Sequence, residues 1–396
     1  MYNYTYFCST NSSNLIFIKI MKKTTQFLFS IVALFALTFS FAQTTTSAIN
    51  GRIKDANGEP LPGANVVAKH IPTGTVYGAA TDFDGFYRIS NMRPGGPYSI
   101  TISYVGFTDF SEDDLQLTLG QTTSINTQLS EEANALDEVV ITTTRNNVFD
   151  SNRTGAETTV SRRDLATIPS ASRSVADFLR ATPQAQLSEG SDGFSVSLGG
   201  QNNRFNSFTV DGAVSNDVFG LAGSGTDGGQ TGANPFSIDA LEQIQIQLAP
   251  FDVKISGFAG GAISAVTRSG SNEWSGSAYG FVRNQDLAGK TPTGLKENAT
   301  RLNNFTKKTY GFRLGGAITK NKLFYFINVD LQRDLRPQPF DFSQYNGNTK
   351  DINVLNSLAA TLKSTYNYDA GGFLDNTEEV NADRITARID WNINDR

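Results

Sequence analysis

The sequence predicts a mainly β protein made of an Ig-like β-sandwich, a small α+β domain and the first strands of a transmembrane antiparallel β-barrel. Three observations predict this order. Short β-like runs separated by turn residues fill residues 48–130. One helical piece and several short strands follow in residues 146–270, among Gly- and Ser-rich loops. From residue 275 onward, strand-length segments alternate apolar and polar residues, as membrane-spanning β-strands do.

The N-terminus has the pattern of a secretory signal. Lys22 and Lys23 precede the apolar run of residues 27–41. Small residues then precede a cleavage site between Ala42 and Gln43. An N-terminal anchor helix is the alternative, but the apolar run is shorter than the roughly 20 residues that a spanning helix needs.

Removal of this segment changes the charge of the chain. Because Met21 opens the signal pattern, we assign residues 21–42 to the signal peptide and predict that residues 1–20 are an upstream mis-start. Loss of residues 1–42 takes away three of the 33 basic residues and none of the 38 acidic ones, so the formal net charge falls from −5 to −8. An acidic chain argues against a nucleic-acid partner.

The residue types that carry most catalysis and metal binding are scarce. The single cysteine, Cys8, is lost with the signal segment. A disulfide, a thiol nucleophile and a thiolate metal site are therefore not expected. The single histidine, His70, has no second histidine beside it, and such a residue is more often structural than catalytic.

Three short motifs resemble known sites by their letters only. Residues 223–228 match a dinucleotide-binding loop but follow no apolar strand. Residues 289–291 lack the earlier glycine of a phosphate loop, because Asn284 stands there. Residues 82–85 begin like a calcium loop, but Arg93 occupies the twelfth position, where glutamate is required. We therefore predict that the protein is not an enzyme and has no catalytic, cofactor or metal site.

The first domain is predicted from about seven β-like runs separated by Gly, Pro, Asn and Asp turns. The stretches "GRIKDANGEPLPGANVVAK" and "GAATDFDGFYRISNMRPGGPYSITISYVGF" resemble the carboxypeptidase regulatory-like domain. The resemblance implies a β-sandwich without peptidase chemistry over residues 43–131. It also implies that Asp84 and Gly85 form a tight turn before the strand of Phe86 and Tyr87.

The second domain is predicted to contain one helix and several short strands. Ser174 is a plausible N-cap, since Val175, Phe178 and Leu179 then form one apolar face and Asp177 lies at the third helical position. After the helix come short strand-like runs and a long Gly/Ser/Asn loop. Residues 243–248 alternate glutamine with an aliphatic residue, which indicates a strand.

Four segments of this domain carry a second resemblance. "SVADFLRATP", "GGQNNRFNSFTVDGA", "SIDALEQIQI" and "GFAGGAISAVTRSGSNEWSGSAYGFVRN" are similar, in order and spacing, to the plug domain of TonB-dependent outer-membrane receptors. We assign residues 148–270 to this domain. The family often has an Arg-Gly pair where this chain has Gly199 and Gly200. The residues that the resemblance marks as the plug motif are Asp211, Gly212, Gly260, Gly261, Thr267 and Gly270.

The third part is predicted from alternation and from the lengths of the connections. Segments 309–318, 323–332 and 385–393 each have one apolar and one polar face, and residues 274–284 alternate more weakly. The connections are long (285–305), short (319–322) and long (334–383). Outer-membrane barrels alternate long external loops with short periplasmic turns in this way.

These four strands, in residues 271–396, are fewer than the about 22 of plugged transporters. An open sheet edge is not tolerated in lipid. We therefore expect this sequence to be the N-terminal part of a longer protein or a truncated gene product.

A β-branched segment lies in the linker of residues 132–147. It resembles the TonB box, the strand that such receptors offer to TonB, and it consists of Asp137, Glu138, Val139, Val140, Ile141 and Thr142. A segment of this kind can add to the edge of a partner's sheet. The alternatives are that it forms the last strand of the sandwich or a swapped linker strand.

The receptors that the chain most resembles are the large Oar-like receptors common in Bacteroidetes-type bacteria. The resemblance implies energised import across the outer membrane of a Gram-negative bacterium, with the N-terminal domain in the periplasm. It implies as partners TonB with its inner-membrane energising complex, outer-membrane lipid and an imported ligand, and it leaves room for a surface lipoprotein. Iron complexes, oligosaccharides, peptides and proteins all remain open as ligands.

The ligand would contact the plug loops 201–207 and 215–235 and the long loops 285–305 and 334–383. Aromatic residues of the last loop can stack on sugars or peptides, although packing within the loop is the favoured interpretation; they are Phe340, Phe342, Tyr345, Tyr366 and Tyr368. The alternative function is a secreted or surface adhesion or scaffold protein built from β-domains, without transport.

Overall fold

A computed structural model describes residues 45–131, 156–170, 173–190, 193–233, 235–250, 255–291, 297, 299–302, 304–337, 351–371 and 377–393. Three parts follow one another within residues 43–396, which cluster as one unit. They are called here the sandwich, the α+β domain and the barrel sheet.

The sandwich consists of two sheets packed face to face. Its strands are β1 (Ser47–Asp55), β2 (Asn65–His70), β3 (Thr75–Ala80), β4 (Phe86–Met92), β5 (Gly95–Ser103), β6 (Phe110–Leu117), β7 (Thr122–Ser124) and β8 (Thr127–Leu129). One sheet has the order β4-β1-β7, with β8 also paired to β1, and the other has the order β3-β2-β5-β6. Alternate residues of the strands, such as Ile49, Tyr87, Ile100 and Leu115, form the core between the sheets. This confirms the predicted sandwich.

The turn before β4 forms as the sequence predicts. One carboxylate oxygen of Asp82 accepts the backbone N–H groups of Asp84 at 3.0 Å and of Phe86 at 2.8 Å. Gly85 adopts a positive φ of 69°, which only glycine adopts readily. The acidic residues at this site therefore shape a turn.

The α+β domain is built on a five-stranded sheet with a separate hairpin and two short helices. Its elements are β9 (Ala156–Val160), α1 (Arg162–Thr167), α2 (Val175–Leu179), β10 (Ala185–Gly190), β11 (Gly193–Leu198), β12 (Ser207–Val210), β13 (Ala213–Val214), β14 (Leu241–Leu248) and β15 (Gly261–Thr267). The sheet has the order β13-β12-β15-β14-β9, and β10 pairs with β11. Phe178, Ile244, Ile246 and Ile263 lie in its core.

The helical region differs from the prediction of a single helix. Ser174 caps α2, since its Oγ accepts the N–H of Ala176 at 3.2 Å. Asp177 does not complete a capping box and instead accepts the hydroxyl of Ser170 at 2.6 Å. The capping box lies at the start of α1, between Ser161 and Asp164. The prediction missed α1 because its six residues are too few to show an apolar period.

The barrel sheet consists of four antiparallel strands in sequence order. They are β16 (Ser275–Asn284), β17 (Thr306–Thr319), β18 (Leu323–Pro337) and β19 (Thr377–Trp391). Three of these strands have 14 or 15 residues, longer than the roughly 9–11 needed to cross a bilayer. The sheet is open among the described residues, in agreement with the predicted incomplete barrel.

The connection between β18 and β19 was predicted incorrectly. Both strands extend into the segment 334–383, which the sequence predicts as a loop, and the remaining part contains a helix, α3 (Ile352–Tyr366). Asp351 caps this helix by accepting the N–H of Asn353 at 2.9 Å. Each helix within the described ranges is too short or too polar to span a lipid bilayer.

Candidate functional site

The two faces of the barrel sheet have the reverse of the polarity found in water-soluble sheets. Its inner face, which meets the α+β domain, is polar apart from the buried Phe324 and Phe326 near the short turn, and Asp330 there is only 3% exposed. Its outer face is apolar, and Ile385 and Trp391 are 73% and 67% exposed. A water-soluble protein buries apolar residues and exposes charged ones, whereas a membrane barrel exposes an apolar band to lipid.

Aromatic side chains gather at the short-turn end of this outer face. Trp274 packs edge-on against Tyr325, with 6.1 Å between the ring centroids. Trp391 pairs with Leu323 at the start of β18. Aromatic girdles of this kind lie at the interface between lipid and water.

Asp330 is the centre of the first contact between the inner face and the α+β domain. Its Oδ2 accepts the hydroxyls of Tyr279 at 2.7 Å and of Ser237, in the α+β domain, at 3.3 Å. Its Oδ1 accepts Nε of Arg384 at 3.0 Å. The same guanidinium donates to Oε1 of Gln332 at 2.9 Å. This buried carboxylate is therefore hydrogen-bonded from both sides of the interface, as a buried charge requires.

A second contact joins Arg388 of β19 to the predicted plug motif. Nη1 of Arg388 donates to the carbonyl oxygen of Thr267 at 2.8 Å and lies 3.4 Å from Oδ1 of Asp211. Its Nη2 lies 2.9 Å from Oδ1 of Asp390. One guanidinium thus joins the barrel sheet to two residues of the motif.

Asp211 owes its position to a strained turn after β12. It has a positive φ of 48° and is followed by Gly212 with a φ of 82°. Its Oδ1 accepts the N–H of Thr267 at 2.9 Å, and its Oδ2 accepts the hydroxyl of Thr267. Positive φ in a residue other than glycine is costly and needs such support.

The motif glycines lie where a side chain would clash. A Cβ at Gly261 would come within 2.7 Å of Cδ1 of Leu198, and one at Gly260 within 2.6 Å of Oδ1 of Asn206. A Cβ at Gly270 would come within 2.4 Å of the carbonyl oxygen of Tyr325 in the barrel sheet. Gly270 therefore allows the end of the α+β domain to lie directly against the barrel backbone.

A third contact uses the planar guanidinium of Arg173. It forms an ion pair with Asp239. It also lies over the ring of Phe281 in β16, 4.0 Å from the centroid, and 5.2 Å from that of Tyr279. A cation on an aromatic face contributes about 0.5–2 kcal/mol, so this contact also holds the α+β domain to the barrel sheet.

Glu242 lies on β14, at a register shift between Leu241 and Gln243. Burial raises the pKa of Glu242, whereas the positive charges of four guanidinium groups act to lower it. These groups come from the α+β domain, the barrel sheet and the sandwich, and they are Arg162, Arg313, Arg388 and Arg93.

The three parts of the chain surround a cavity of about 480 Å³. Its wall includes Arg93 of the sandwich, Asp211 and Thr267 of the α+β domain, and Thr386 and Arg388 of the barrel sheet. Within the described residues, no group of three or more His, Cys, Asp and Glu side chains is arranged to hold a metal ion.

The predicted ligand-facing loop of residues 215–235 begins with an apolar tip whose backbone is hydrogen-bonded to Asp217. Asp217 accepts the N–H groups of Leu221 and Ala222, each at 2.6 Å, and that of Phe219 at 3.0 Å. The hydrogen bond from Ala222 is the main cause that lowers the pKa of the Asp217 carboxyl. Val218, Phe219 and Leu221 are all exposed, Phe219 by 80%. The carboxylate thus holds apolar side chains in solvent.

Several predicted residues do not meet at this site. The signal cleavage site at Ala42 and Gln43 and the predicted box at residues 137–142 lie outside the described residues. Phe340, Phe342 and Tyr345 lie outside them too. Tyr366 and Tyr368 are 72% and 60% exposed, so the favoured interpretation of loop packing is wrong for these two. Gly199 and Gly200 both have positive φ and form the turn after β11.

The sequence did not single out the charged residues that make the contacts. The alternation places Arg388 and Asp330 on polar faces without giving them a partner, and Arg384 lies outside the predicted segments. Charged residues at alternate positions of an otherwise apolar strand are the available signal, because they must face something other than lipid.

Three family models match the chain. They are described as "Carboxypeptidase regulatory-like domain" over residues 48–130, "TonB-dependent Receptor Plug Domain" over residues 150–263 and "Outer membrane beta barrel domain" over residues 266–396. The first match falls on the sandwich, and the other two cover the α+β domain and the barrel sheet with their boundary inside β15.

Related proteins agree with these matches. The TonB-dependent transporter Oar of Myxococcus xanthus is 30% identical over 303 residues, which are 72% of this chain and 26% of that protein. The TonB-dependent receptor SusC of Bacteroides thetaiotaomicron is 34% identical over 111 residues, which are 28% of this chain and 10% of that protein. This chain therefore spans about a quarter or less of the length of these relatives. Among solved structures, the siderophore receptor PirA of Acinetobacter baumannii is 19% identical, with a TM-score of 0.39, over 60% of this chain and 29% of that chain.

Proposed function

The chain belongs to the family of TonB-dependent outer-membrane receptors, and from this premise we propose that it serves the energised import of a ligand into the periplasm. Its plug and barrel matches assign it to the outer membrane of a Gram-negative bacterium. Its relatives are named as transporters and receptors. One observation supports the proposal most directly. The α+β domain packs against the polar inner face of the barrel sheet, whose outer face is apolar.

In this proposal the α+β domain is the plug of the barrel. Signal peptidase cleaves between Ala42 and Gln43. The parts of the chain are then the sandwich at residues 43–131, the linker with the TonB box at 132–147, the plug at 148–270 and the first barrel strands at 271–396. Asp211, Gly212, Gly260, Gly261, Thr267 and Gly270 seat the plug against the barrel and against its own strands.

The box at residues 137–142 is the segment that TonB binds and pulls in the transport step. TonB, coupled to its inner-membrane energising complex, adds this segment to its own sheet as an extra strand. Force on the box then reaches β9, the first described strand after it, which among the described strands pairs only with β14. Main-chain hydrogen bonds carry this force, so the reaction needs no covalent step.

Ligand contact belongs to the surfaces on the side opposite the short barrel turns. The apolar tip at Val218, Phe219 and Leu221 lies in the plug loop of this region. The connection from β18 to β19 contributes the exposed Tyr366 and Tyr368. Both surfaces offer apolar or aromatic area to a ligand before it is imported.

The test of the box uses Val140→Pro with Val140→Ile as its control. Proline removes the backbone N–H and fixes φ, so it prevents strand pairing, whereas isoleucine keeps a β-branched side chain. We expect binding of the isolated periplasmic domain of TonB to fall at least tenfold for Val140→Pro and to stay unchanged for Val140→Ile, as measured by calorimetry. Equal binding by both variants would remove the box from the mechanism.

Import itself is tested in cells with labelled ferric complexes, oligosaccharides and peptides. We expect one of these classes to accumulate in the periplasm with the wild-type receptor. Accumulation should stop with Val140→Pro and with a protonophore. Accumulation that survives both treatments would show passive entry and overturn the proposal.

A further inference from the structure

The polar face of β14 is covered by the sandwich. Ile244 and Ile246 point into the plug core, which leaves the glutamines of the strand on the other side. Gln243 and Gln245 are nevertheless only 5% and 2% exposed. A row of glutamines on an uncovered sheet face would stay in water, so this burial shows that the plug sheet has a second packed face.

Gln243 makes a reciprocal pair of hydrogen bonds with the sandwich backbone. Its Nε2 donates to the carbonyl oxygen of Leu117 at 3.0 Å, and its Oε1 accepts the N–H of Leu119 at 2.9 Å. The amide thus satisfies two backbone groups of the turn that follows β6. Leu119 itself is fully buried.

Glu157 on β9 completes this contact. One of its carboxylate oxygens accepts the side-chain amide of Gln121 from the sandwich. The other accepts Nε2 of Gln245 at 3.1 Å and Nε2 of Gln247 at 3.3 Å. The carboxylate therefore binds donors from the sandwich and from β14, and hydrogen bonds to an ionised acceptor are about twice as strong as neutral ones. These residues, with Leu117 to Gln121, are called the cover contact.

The strand that supplies Glu157 is also the first strand after the box among the residues that the structure describes. β9 pairs with β14 from Ala156 opposite Leu248 to Val160 opposite Ile244. It lies at the edge of the sheet order. An edge strand is held by a single ladder of backbone hydrogen bonds, so its removal leaves the rest of the sheet paired.

We propose that the sandwich is a removable cover of the plug, docked on β14 and β9 through the cover contact, and that displacement of β9 withdraws Glu157 and lifts the cover. The docking stands on the geometry alone, whereas displacement of β9 by TonB rests on the proposed function. The sandwich also touches the segment that leads into β16, where the carbonyl oxygen of Pro72 accepts the N–H of Asn272 at 2.8 Å. The proposal concerns only its contact with the plug.

Hydrogen exchange of the Leu119 amide reports on this docking, because that N–H donates across the cover contact. The full chain is compared with Glu157→Ala and with Gln128→Ala. Gln128 is an exposed glutamine of β8 in the same sandwich, so its loss is the matched control. We expect Leu119 to exchange at least tenfold faster in Glu157→Ala and at the wild-type rate in Gln128→Ala.

The fold of each variant is checked in the same experiment through the amides of Ile100 and Ile263, which lie in the two cores. Unchanged protection of these amides with faster exchange of Leu119 supports the docking. Unchanged exchange of Leu119 in Glu157→Ala overturns it. Neither reading involves TonB, so failure of TonB binding would leave this result standing.

The link to β9 is tested with Thr158→Pro and its control Thr158→Ser. Thr158 pairs with Ile246 in the middle of β9, and proline there breaks the ladder while Glu157 is kept. We expect Leu119 to lose protection in Thr158→Pro and to keep it in Thr158→Ser. If the amides of β9 exchange rapidly in Thr158→Pro while the Leu119 amide stays protected, the sandwich remains docked without β9. That outcome would overturn the proposed link between β9 and the docking.

Discussion

At the scale of single residues, His70 shows how a residue with catalytic potential is used for structure. It is 5% exposed, its Nδ1 lies 2.7 Å from the hydroxyl of Thr73, and its ring packs against Tyr98 at 4.8 Å. Burial, with a smaller contribution from the charge of Arg93, lowers the pKa of His70 to about 3. The imidazole therefore stays neutral in the folded sandwich.

The depressed pKa of His70 predicts a loss of stability in acid. The unfolded chain takes up a proton near pH 6.5, whereas the folded one does not until about pH 3. Between pH 3 and pH 6.5 the free energy of unfolding therefore increases with pH by up to about 1.4 kcal/mol per pH unit. Above pH 6.5, His70 makes no pH-dependent contribution to it. We expect His70→Phe to flatten this dependence when denaturant unfolding of the sandwich is followed at pH 5 and pH 7.

The comparison between the two pH values removes the general effect of the substitution. The same loss of stability at pH 5 in the wild type and in His70→Phe would assign the acid sensitivity to other groups. His70→Phe keeps a ring against Tyr98, so the core stays filled.

Gly270 allows the plug to approach the barrel backbone. A Cβ there would come within 2.4 Å of the carbonyl oxygen of Tyr325 and 2.5 Å of that of Gly316. We expect Gly270→Ala to cost about 1–3 kcal/mol, the usual range for overpacking. Gly280→Ala is the control, because a Cβ at Gly280 meets nothing within 4 Å. Equal denaturant midpoints for both variants would contradict the close approach.

At the scale of elements, β18 and β19 show that alternation alone does not say which face is buried. Asn328, Asp330 and Gln332 are buried beneath the plug, whereas Ile385 and Ile389 face outward. The same alternation in a water-soluble sheet would have the opposite orientation. Burial beneath the plug determines the orientation, and the buried polar residues are hydrogen-bonded by barrel-strand groups such as Arg384 and Tyr279 and by Ser237 of the plug.

This orientation predicts the effect of a charge on the outer face. Ile385 lies in the middle of β19, opposite Val329. In lipid we expect Ile385→Lys to cost about 2–4 kcal/mol, whereas an exposed site in water would change by less than about 0.5 kcal/mol. The amount of heat-modifiable receptor in the outer-membrane fraction should fall for Ile385→Lys and stay unchanged for Ile385→Leu. Normal assembly of the lysine variant would mean that this face does not meet lipid.

At the scale of the whole molecule, ion pairs connect all three parts around Asp390. Arg388 lies beside it in the barrel sheet and reaches Asp211 of the plug. Arg93 of the sandwich lies 3.6 Å from Asp390 and donates to Ser269 at 2.5 Å. A substitution in one of the three parts should therefore alter the contacts between the other two.

A double-mutant cycle measures the link between plug and barrel. We expect Asp211→Ala and Arg388→Ala to be non-additive by about 0.5–3 kcal/mol, because the two groups share one hydrogen-bond network. The readout is the free energy of denaturant unfolding, because exchange of the Thr267 amide would change in Asp211→Ala simply through loss of its acceptor. Asp217→Ala is the matched control, since Asp217 lies in the loop at the other end of β12, and its effect should add to that of Arg388→Ala. If the effects of Asp211→Ala and Arg388→Ala are additive, their contact contributes nothing to the association of the plug with the barrel.

The sequence by itself determined the order of the three parts, the alternation of their strands and the cap of α2 at Ser174. These features depend on residues a few positions apart, such as the period of two in a strand. It missed α1 and α3 because short or exposed helices bury too little apolar surface to show a period.

Only the tertiary structure decided which face of the barrel sheet is inside and what covers the glutamines of β14. The deciding partners are distant in the chain: 126 residues separate Gln243 from Leu117, and 177 separate Arg388 from Asp211. No local pattern encodes such pairs, because each side chain finds its partner only when the separate sheets have packed together.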